Sequence, residues 1–215
     1  MKKIKRLGAI GDIHAEDKLL HNAVEFLNKQ ELDGIVSVGD IVDGSGNADA
    51  CCELLNKEQM ITVAGNHESW LLENILRVLP GATQLSELSK TSRSFLKSLP
   101  TTHQLETVAG LLLLCHGIGE NDMIFLRPED SEEDFRQCIE LEPIIQENDY
   151  RFIINGHTHQ KMVRQFQQLT IINVGTLKWN HGASFAVIDF ENGYVQFYEF
   201  YLQGDFIGEA ECISW

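Results

Sequence analysis

Five short clusters of side chains recur along this 215-residue chain in a fixed order. They are Asp12-Ile13-His14, Gly39-Asp40, Gly65-Asn66-His67-Glu68, Cys115-His116-Gly117 and Gly156-His157-Thr158-His159. Each follows a short apolar run. Aspartate, asparagine and histidine offer carboxylate, amide and imidazole donors, a set that suits borderline divalent metals such as Mn, Fe or Zn. Together they supply enough ligands for two cations side by side. A two-metal site of that kind points to hydrolysis of a phosphate ester.

The spacing within each cluster has a physical reading. Asp12 and His14 lie two apart, and an extended chain turns i and i+2 to one side, which predicts that both reach one metal. Gly39 lets the backbone turn tightly before Asp40, whose two oxygens could bridge two cations. Asn66 adds a neutral oxygen donor that keeps the site from gaining excess negative charge. His116 closes the apolar run Leu111 to Leu114, and His157 and His159 are again two apart. Taken singly, each cluster has a plainer explanation. A lone Gly-Asp is ordinarily a turn, and a lone histidine after a strand is more often hydrogen-bonded at the surface or in the core. Gly65 to Glu68 could simply open a helix, with Asn66 as N-cap and Glu68 in the first turn. The metal reading rests on the conjunction of five clusters, each at an expected strand end.

The elements that must position them follow from periodicity. Ile4 to Ile10 reads as a strand. Leu19, Leu20, Ala23, Val24 and Leu27 recur at helical spacing over roughly 17–30. Ile35 to Val38 is a second strand, Cys51 to Leu55 marks a short helix, and Met60 to Ala64 is a third strand. A β-α-β-α-β order predicts parallel strands with ligand-bearing loops at their C-terminal ends. Trp70, Leu71, Leu72, Ile75, Leu76 and Leu79 predict a helix stopped by Pro80-Gly81. Leu85 to Leu99 predicts another, stopped near Pro100. Leu105 to Cys115 returns to strand character. Ser131 to Asn148 reads as a helix whose acidic first turn suits the helix dipole, kinked or divided at Pro143. Phe152 to Ile154 is a strand. Beyond His159 the pattern is all-β: Met162 to Gln167, Thr170 to Val174, Ser184 to Phe190 and Tyr194 to Tyr201, with Glu191-Asn192-Gly193 as a hairpin turn. Apolar/polar alternation within the last of these is imperfect. One domain over 1–215 is expected, with a helical insertion at about 68–100.

Composition narrows the setting. Hydrophobic residues make up 43% and charged residues 23%, the balance of a globular domain. The net charge is −15, from 17 basic and 32 acidic residues. Such a surface repels a phosphate backbone, which argues against extended nucleic-acid binding. A small anionic substrate would still be drawn to two divalent cations, whose local charge dominates. The five cysteines are odd in number and contain no C-x-x-C, a poor disulfide framework that fits a reducing cytoplasm. The basic start runs directly into the first strand, so no signal peptide is expected, and no apolar stretch reaches ~18 residues, so no membrane-spanning helix is expected.

With D-x-H, G-D, G-N-H-E, a later His and G-H-x-H in this order, the chain resembles the calcineurin-like metallophosphoesterases from Asp12 to His159 and beyond. The resemblance implies a sandwich of two mixed β-sheets flanked by helices, a four-layer α/β/β/α arrangement. It implies one metal on Asp12, His14, Asp40 and His159, and a second on Asn66, His116 and His157, with Asp40 bridging. It implies two divalent ions (Mn, Fe or Zn, with Mn favoured for activity) and a hydroxide shared between them as nucleophile. His67 is left to the phosphate or the leaving oxygen, and Asp43 matches a carboxylate that orients this histidine in some members; a plainer role for Asp43 is to cap the turn Asp43 to Asn47. Gly117, Asn155 and Gly156 would shape the backbone around the site. Phosphate-clamping Arg is expected after the second Asp of G-D-x-x-D in the protein Ser/Thr phosphatases and the dinucleoside-tetraphosphate hydrolases. Here Gly44 stands in that place, which weighs against both subfamilies. The expected substrate is a small phosphorylated molecule or a phosphoprotein, as monoester or diester. Phe125, Arg127 and Lys178 are candidate substrate contacts or plain surface residues. The competing readings are a non-catalytic scaffold of the same fold, like the retromer subunit that resembles this family, and a nuclease of the family.

Overall fold

A computed structural model describes residues 3–147, 150–208 and 211–215. In chain order the elements are β1 (Arg6–Ile10), α1 (Asp17–Leu27), β2 (Gly34–Ser37), α2 (Ala48–Lys57), β3 (Ile61–Thr62), α3 (Asn66–Glu73), α4 (Lys90–Ser98), β4 (Thr102–Thr107), β5 (Gly110–Cys115), α5 (Glu132–Gln137) and α6 (Leu141–Glu147). There follow β6 (Tyr150–Asn155), β7 (Lys161–Phe166), β8 (Leu169–Val174), β9 (Ser184–Asp189), β10 (Tyr194–Tyr201), β11 (Phe206–Ile207) and β12 (Glu211–Ser214).

The strands form two mixed sheets. In the first, β1, β2 and β3 are parallel, β9 runs antiparallel to β1, β10 pairs with β9, and β11 and β12 share the outer edge of β10. In the second the order is β4-β5-β6-β8-β7, parallel from β5 through β8 and antiparallel at both edges. Strand alternation builds the layers. Leu112 and Leu114 of β5 turn inward to meet Leu7, Ala9, Val36 and Val38 of the first sheet. Leu113 and Cys115 turn outward under Phe135 of α5 and Leu141 and Ile144 of α6. On the other side, α1 and α2 cover the first sheet through Leu20, Val24, Cys52 and Leu55. Four layers result, α/β/β/α, as the family resemblance implied.

Burial on both faces also explains why β10 alternates poorly. Val195 and Phe197 face the second sheet, while Tyr198 and Phe200 pack with Phe185 and α1, the Phe26–Tyr198 ring centroids lying 4.7 Å apart. A strand covered on both sides needs apolar residues on both.

Several elements differ from the sequence expectation. The helix expected to reach Leu79 ends at Glu73. Asn74 takes left-handed backbone at φ 58°, as asparagine readily does at a helix C-terminus, and Ile75, Leu76 and Val78 are exposed. The next helix is a single 3₁₀ turn, Leu85–Glu87, followed by α4, which Ser89 caps by accepting from Ser92 N at 3.1 Å. Leu105 to Cys115 is a hairpin of two strands, β4 and β5. The helix over 131–148 is two helices, and its break falls at residues 138–140 instead of Pro143. Pro143 sits in the first turn of α6, where its missing N–H costs no helical bond; Asn148 lies outside the described residues. No helix among the described residues is long and apolar enough to cross a membrane.

Candidate metal centre

The ligand-type residues stand at the C-terminal ends of the parallel strands. Asp12 and His14 follow β1, Asp40 follows β2, and Asn66 opens α3 just beyond β3. His116 follows β5, and His157 and His159 follow β6. The first sheet thus supplies four of these residues and the second supplies three, so the cluster straddles the seam between the sheets. Asp12, His14, Asp40, Asn66 and His116 are buried, and the two later histidines are half-buried.

Two donor sets converge. In one, His14 Nε2 lies 2.9 Å from His159 Nε2, His159 Nε2 lies 3.0 Å from Asp12 Oδ2, and His14 Nε2 lies 3.8 Å from Asp40 Oδ2. In the other, His116 Nε2 lies 3.0 Å from Asn66 Oδ1 and 3.2 Å from His157 Nδ1, and His157 Nδ1 lies 2.9 Å from Asn66 Oδ1. Asp40 Oδ2 joins the sets, 3.4 Å from His116 Nε2. The structure brings these seven side chains together, but not through the extended backbone expected for D-x-H. His14, Asp40, Asp43, His157 and His159 all have φ between 46° and 67°. Left-handed backbone at non-glycine residues carries strain that clusters at functional sites. It is this turn geometry that sends His157 to one set and His159 to the other.

The donor set fits divalent cations. Asp12 Oδ2 is buried and, although His159 Nε2 approaches to 3.0 Å, makes no hydrogen bond of proper geometry, a lack that a ligated cation would satisfy. His14 Nδ1 lies 3.0 Å from the carbonyl of Asp43, and His116 Nδ1 lies 2.9 Å from that of Val38. A carbonyl only accepts, so each Nδ1 carries the hydrogen and each Nε2 turns inward, the second contact that orients metal-binding histidines. Burial pushes His14 down to about 4, which keeps it neutral. Burial also opposes the His116 imidazolium, but Asp40 and Asp12 outweigh it and push that group up to about 10. Burial likewise disfavours ionised Asp40, and the charge and hydrogen bond of His116, with the charge of His67, overcome it, holding the carboxyl well below the usual range. The two aspartates therefore recruit positive charge, a proton that a ligated cation would displace.

His67 lies beside both sets. Its Nδ1 is 2.7 Å from Asp43 Oδ2, the contact expected between these residues, and its ring packs 4.6 Å from that of Trp70. Its Nε2 faces inward, 3.9 Å from Asp40 Oδ2. Gly44 follows Asp43, and a Cβ there would sit 1.7 Å from the backbone oxygen of His14. No side chain can be placed at this position without moving a ligand-bearing loop. Gly44→Arg, which would restore the residue expected in the phosphatase subfamilies, is predicted to destabilise the protein by at least about 1–3 kcal/mol, the usual cost of overpacking. Urea denaturation checks it; an unchanged midpoint would show that the loop yields freely.

Two site residues, His181 and Arg77, escaped the sequence reading, and a third, Glu68, does more than occupy the first helical turn expected for it. Glu68 is fully buried; its Oε1 accepts from Ile41 N at 2.8 Å and Val42 N at 3.1 Å, and its Oε2 from Gly65 N at 2.9 Å. It ties the Asp40 loop to the start of α3, whose N-cap is Gly65 and not Asn66. His181 Nδ1 sits 2.7 Å from His159 Nδ1. Arg77 forks onto Asp43, Nη1 to Oδ1 at 2.8 Å and Nη2 to Oδ2 at 2.9 Å. Among the substrate-contact candidates, Phe125 stacks on His157 at 5.6 Å and Arg127 lies 4.4 Å over the Phe125 ring. Lys178 lines a cavity of about 490 Å³ together with His14, Asp43, Gly44, Pro80 and Trp179. Asn155 and Gly156 brace the ligand loops, Asn155 Nδ2 donating to Gly117 O at 3.0 Å and Gly156 N to His116 O at 3.0 Å.

Comparison with known proteins follows the same residues. A family model described as the calcineurin-like phosphoesterase superfamily domain matches residues 6–193. Serine/threonine-protein phosphatase 2 of Escherichia coli (strain K12) is 34% identical over 70 residues, which span 32% of this chain and 32% of that protein. Among solved structures, a metallophosphoesterase from Sphaerobacter thermophilus superposes with a TM-score of 0.68 at 20% identity, covering 91% of this chain and 87% of the other. The hypothetical protein PH1004 from Pyrococcus horikoshii OT3 gives 0.73 at 14% identity, covering 90% and 87%. Both structural likenesses concern the fold.

Proposed function

Since the chain belongs to the calcineurin-like phosphoesterase superfamily, we propose that it is a dinuclear metal-dependent phosphoesterase acting on a phosphate monoester or diester. The observation that carries this reading is the pair of donor sets joined at Asp40, with His67 beside them and hydrogen-bonded away from them, to Asp43. Asp12, His14, Asp40 and His159 would hold one cation, and Asp40, Asn66, His116 and His157 the other. Mn, Fe and Zn suit these ligands; Mn is the ion proposed for activity. When bound, such ions neutralise phosphoryl charge and acidify water to near neutrality.

The chain's own groups supply the remainder. Burial works against the His67 imidazolium, but the Asp43 hydrogen bond and the charge of Asp40 outweigh it and raise its pKa. That shift favours the charged form of His67, in which Nε2–H is presented on the side of Asp40. From there it can stabilise a phosphoryl oxygen or protonate a departing alkoxide. Asp43 stays ionised to anchor it: burial raises its pKa, and hydrogen bonds from His67 and Arg77 bring it below the ordinary value. The cavity beside His14, with Lys178 as its lysine, would receive the leaving group of a small phosphorylated substrate or a phosphorylated side chain. The five unpaired cysteines support a reducing, cytoplasmic setting.

The test is turnover of p-nitrophenyl phosphate and of bis(p-nitrophenyl) phosphate by protein loaded with Mn. Hydrolysis that stops with a chelator and returns with metal is the expected result. No metal-dependent turnover of either ester with Mn, Fe or Zn would favour the non-catalytic scaffold instead.

A further inference from the structure

The Asp43 carboxylate is held from every side. Oδ1 accepts from Arg77 Nη1 and from Thr83 N, each at 2.8 Å. Oδ2 accepts from Arg77 Nη2 at 2.9 Å and faces His67 Nδ1 at 2.7 Å. The Asp43 side chain is 2% exposed and that of Arg77 10%. A buried carboxylate needs a partner charge, and a planar guanidinium on both its oxygens fixes the carboxylate plane as well as its charge. A lysine would neutralise Asp43 without fixing that plane.

The guanidinium has little left to offer a substrate. Its Nε donates to Ile75 O at 2.7 Å, and Nη1 donates to Thr83 O at 3.1 Å as well as to Asp43. Four of its five N–H groups are thereby engaged. It cannot turn toward a phosphate without releasing Asp43. Nor can a cation reach Asp43 from the neighbouring position, since Gly44 presses against the His14 carbonyl. The cation comes from 34 residues along the chain, where Asn74 and Leu76, both in left-handed backbone, turn the segment after α3 back toward the site. Thr83 completes the attachment, its Oγ1 accepting from Asp43 N at 3.0 Å.

From this geometry we infer that Arg77 is a positioning residue for His67, acting through Asp43. It fixes the carboxylate so that Oδ2 accepts from Nδ1–H, which keeps Nε2 directed toward Asp40. Its consequence for catalysis rests on the phosphoesterase reading; the hydrogen-bond relay itself does not.

Arg77→Ala and Arg77→Lys test it, in two arms. In kinetics with Mn-loaded protein, both variants are expected to lose about 10- to 100-fold in kcat, the scale of a small misplacement of a reacting group. KM and metal content should stay near the wild-type values, and millimolar guanidinium should restore part of kcat in Arg77→Ala but not in Arg77→Lys. In proton NMR of the zinc-loaded protein, the low-field imidazole resonance of His67, identified by its loss in His67→Gln, should vanish or move in Arg77→Ala and return with guanidinium. If Arg77→Ala does not fold, Arg77→Lys alone decides, through its kcat and the same resonance. Variants that keep the resonance and kcat overturn the inference. So does a fall in melting temperature with no guanidinium rescue of either signal, which marks Arg77 as a structural clip. If the wild-type protein hydrolyses no phosphate ester, the functional reading fails, and the NMR arm still decides what Arg77 does to His67.

Discussion

Replacing His67 by glutamine is expected to lower kcat by roughly 10²- to 10⁴-fold, the range for loss of a general acid, with metal content unchanged. Glutamine preserves much of the volume packed against Trp70 and can still donate to Asp43, so folding should survive. It cannot carry a positive charge or release a proton. The contrast between kcat and metal content is the informative part. His67, His14 and Asp40 are close enough together to hold a cation among themselves, so ligation by His67 is the competing explanation. Elemental analysis separates the two. A variant that loses both metal and activity would make His67 a ligand, and one that keeps both would remove it from the chemistry.

The second large effect is expected at Asp40, whose Oδ2 lies between the two donor sets. Asp40→Asn removes the shared negative charge and should weaken both cations at once, where loss of Asn66 or His159 would weaken one. Outer contacts to metal ligands are worth 10- to 100-fold in affinity or activity, so a bridging ligand should cost at least about 100-fold in turnover. Stability gives an independent measure. A cation present at 100 times its Kd adds about 2.7 kcal/mol, which for a domain of this size is roughly 5–11 °C in melting temperature. The wild-type protein should show a rise of that order when Mn is added, and Asp40→Asn little or none. An equal rise in both would place the metal elsewhere.

How much of this was legible beforehand depended on how local the signal was. The ligand clusters could be read because strand ends carry their functional residues in sequence, each marked by an apolar run before it. The parallel core of the first sheet was legible for the same reason. Arg77 was not. Its partner is 34 residues away, and it lies among Ile75, Leu76, Val78 and Leu79, whose spacing mimics a buried helix face. Three of those four side chains are exposed, so the apolar pattern there does not report burial. Asn74 was the available clue, since asparagine tolerates the left-handed cap that ends a helix. Glu68 was assigned a place in the first helical turn, but its burial against Ile41 and Val42 depends on a loop 26 residues earlier. The break before α6 was misplaced because proline was read as an interruption when it also begins helices.

The position of the ligands across the seam has a consequence for the order in which the protein assembles. Asp12 and Asp40 leave one sheet, and His116 and His157 leave the other, so neither sheet alone presents a complete set. Any cation held by both sets could gain its full coordination only once the two sheets have docked. Interactions that form after the rate-limiting step leave the folding rate nearly unchanged and slow unfolding. Bound metal would thus act as a kinetic fastener across the two sheets, lengthening the life of the native state more than it hastens its formation.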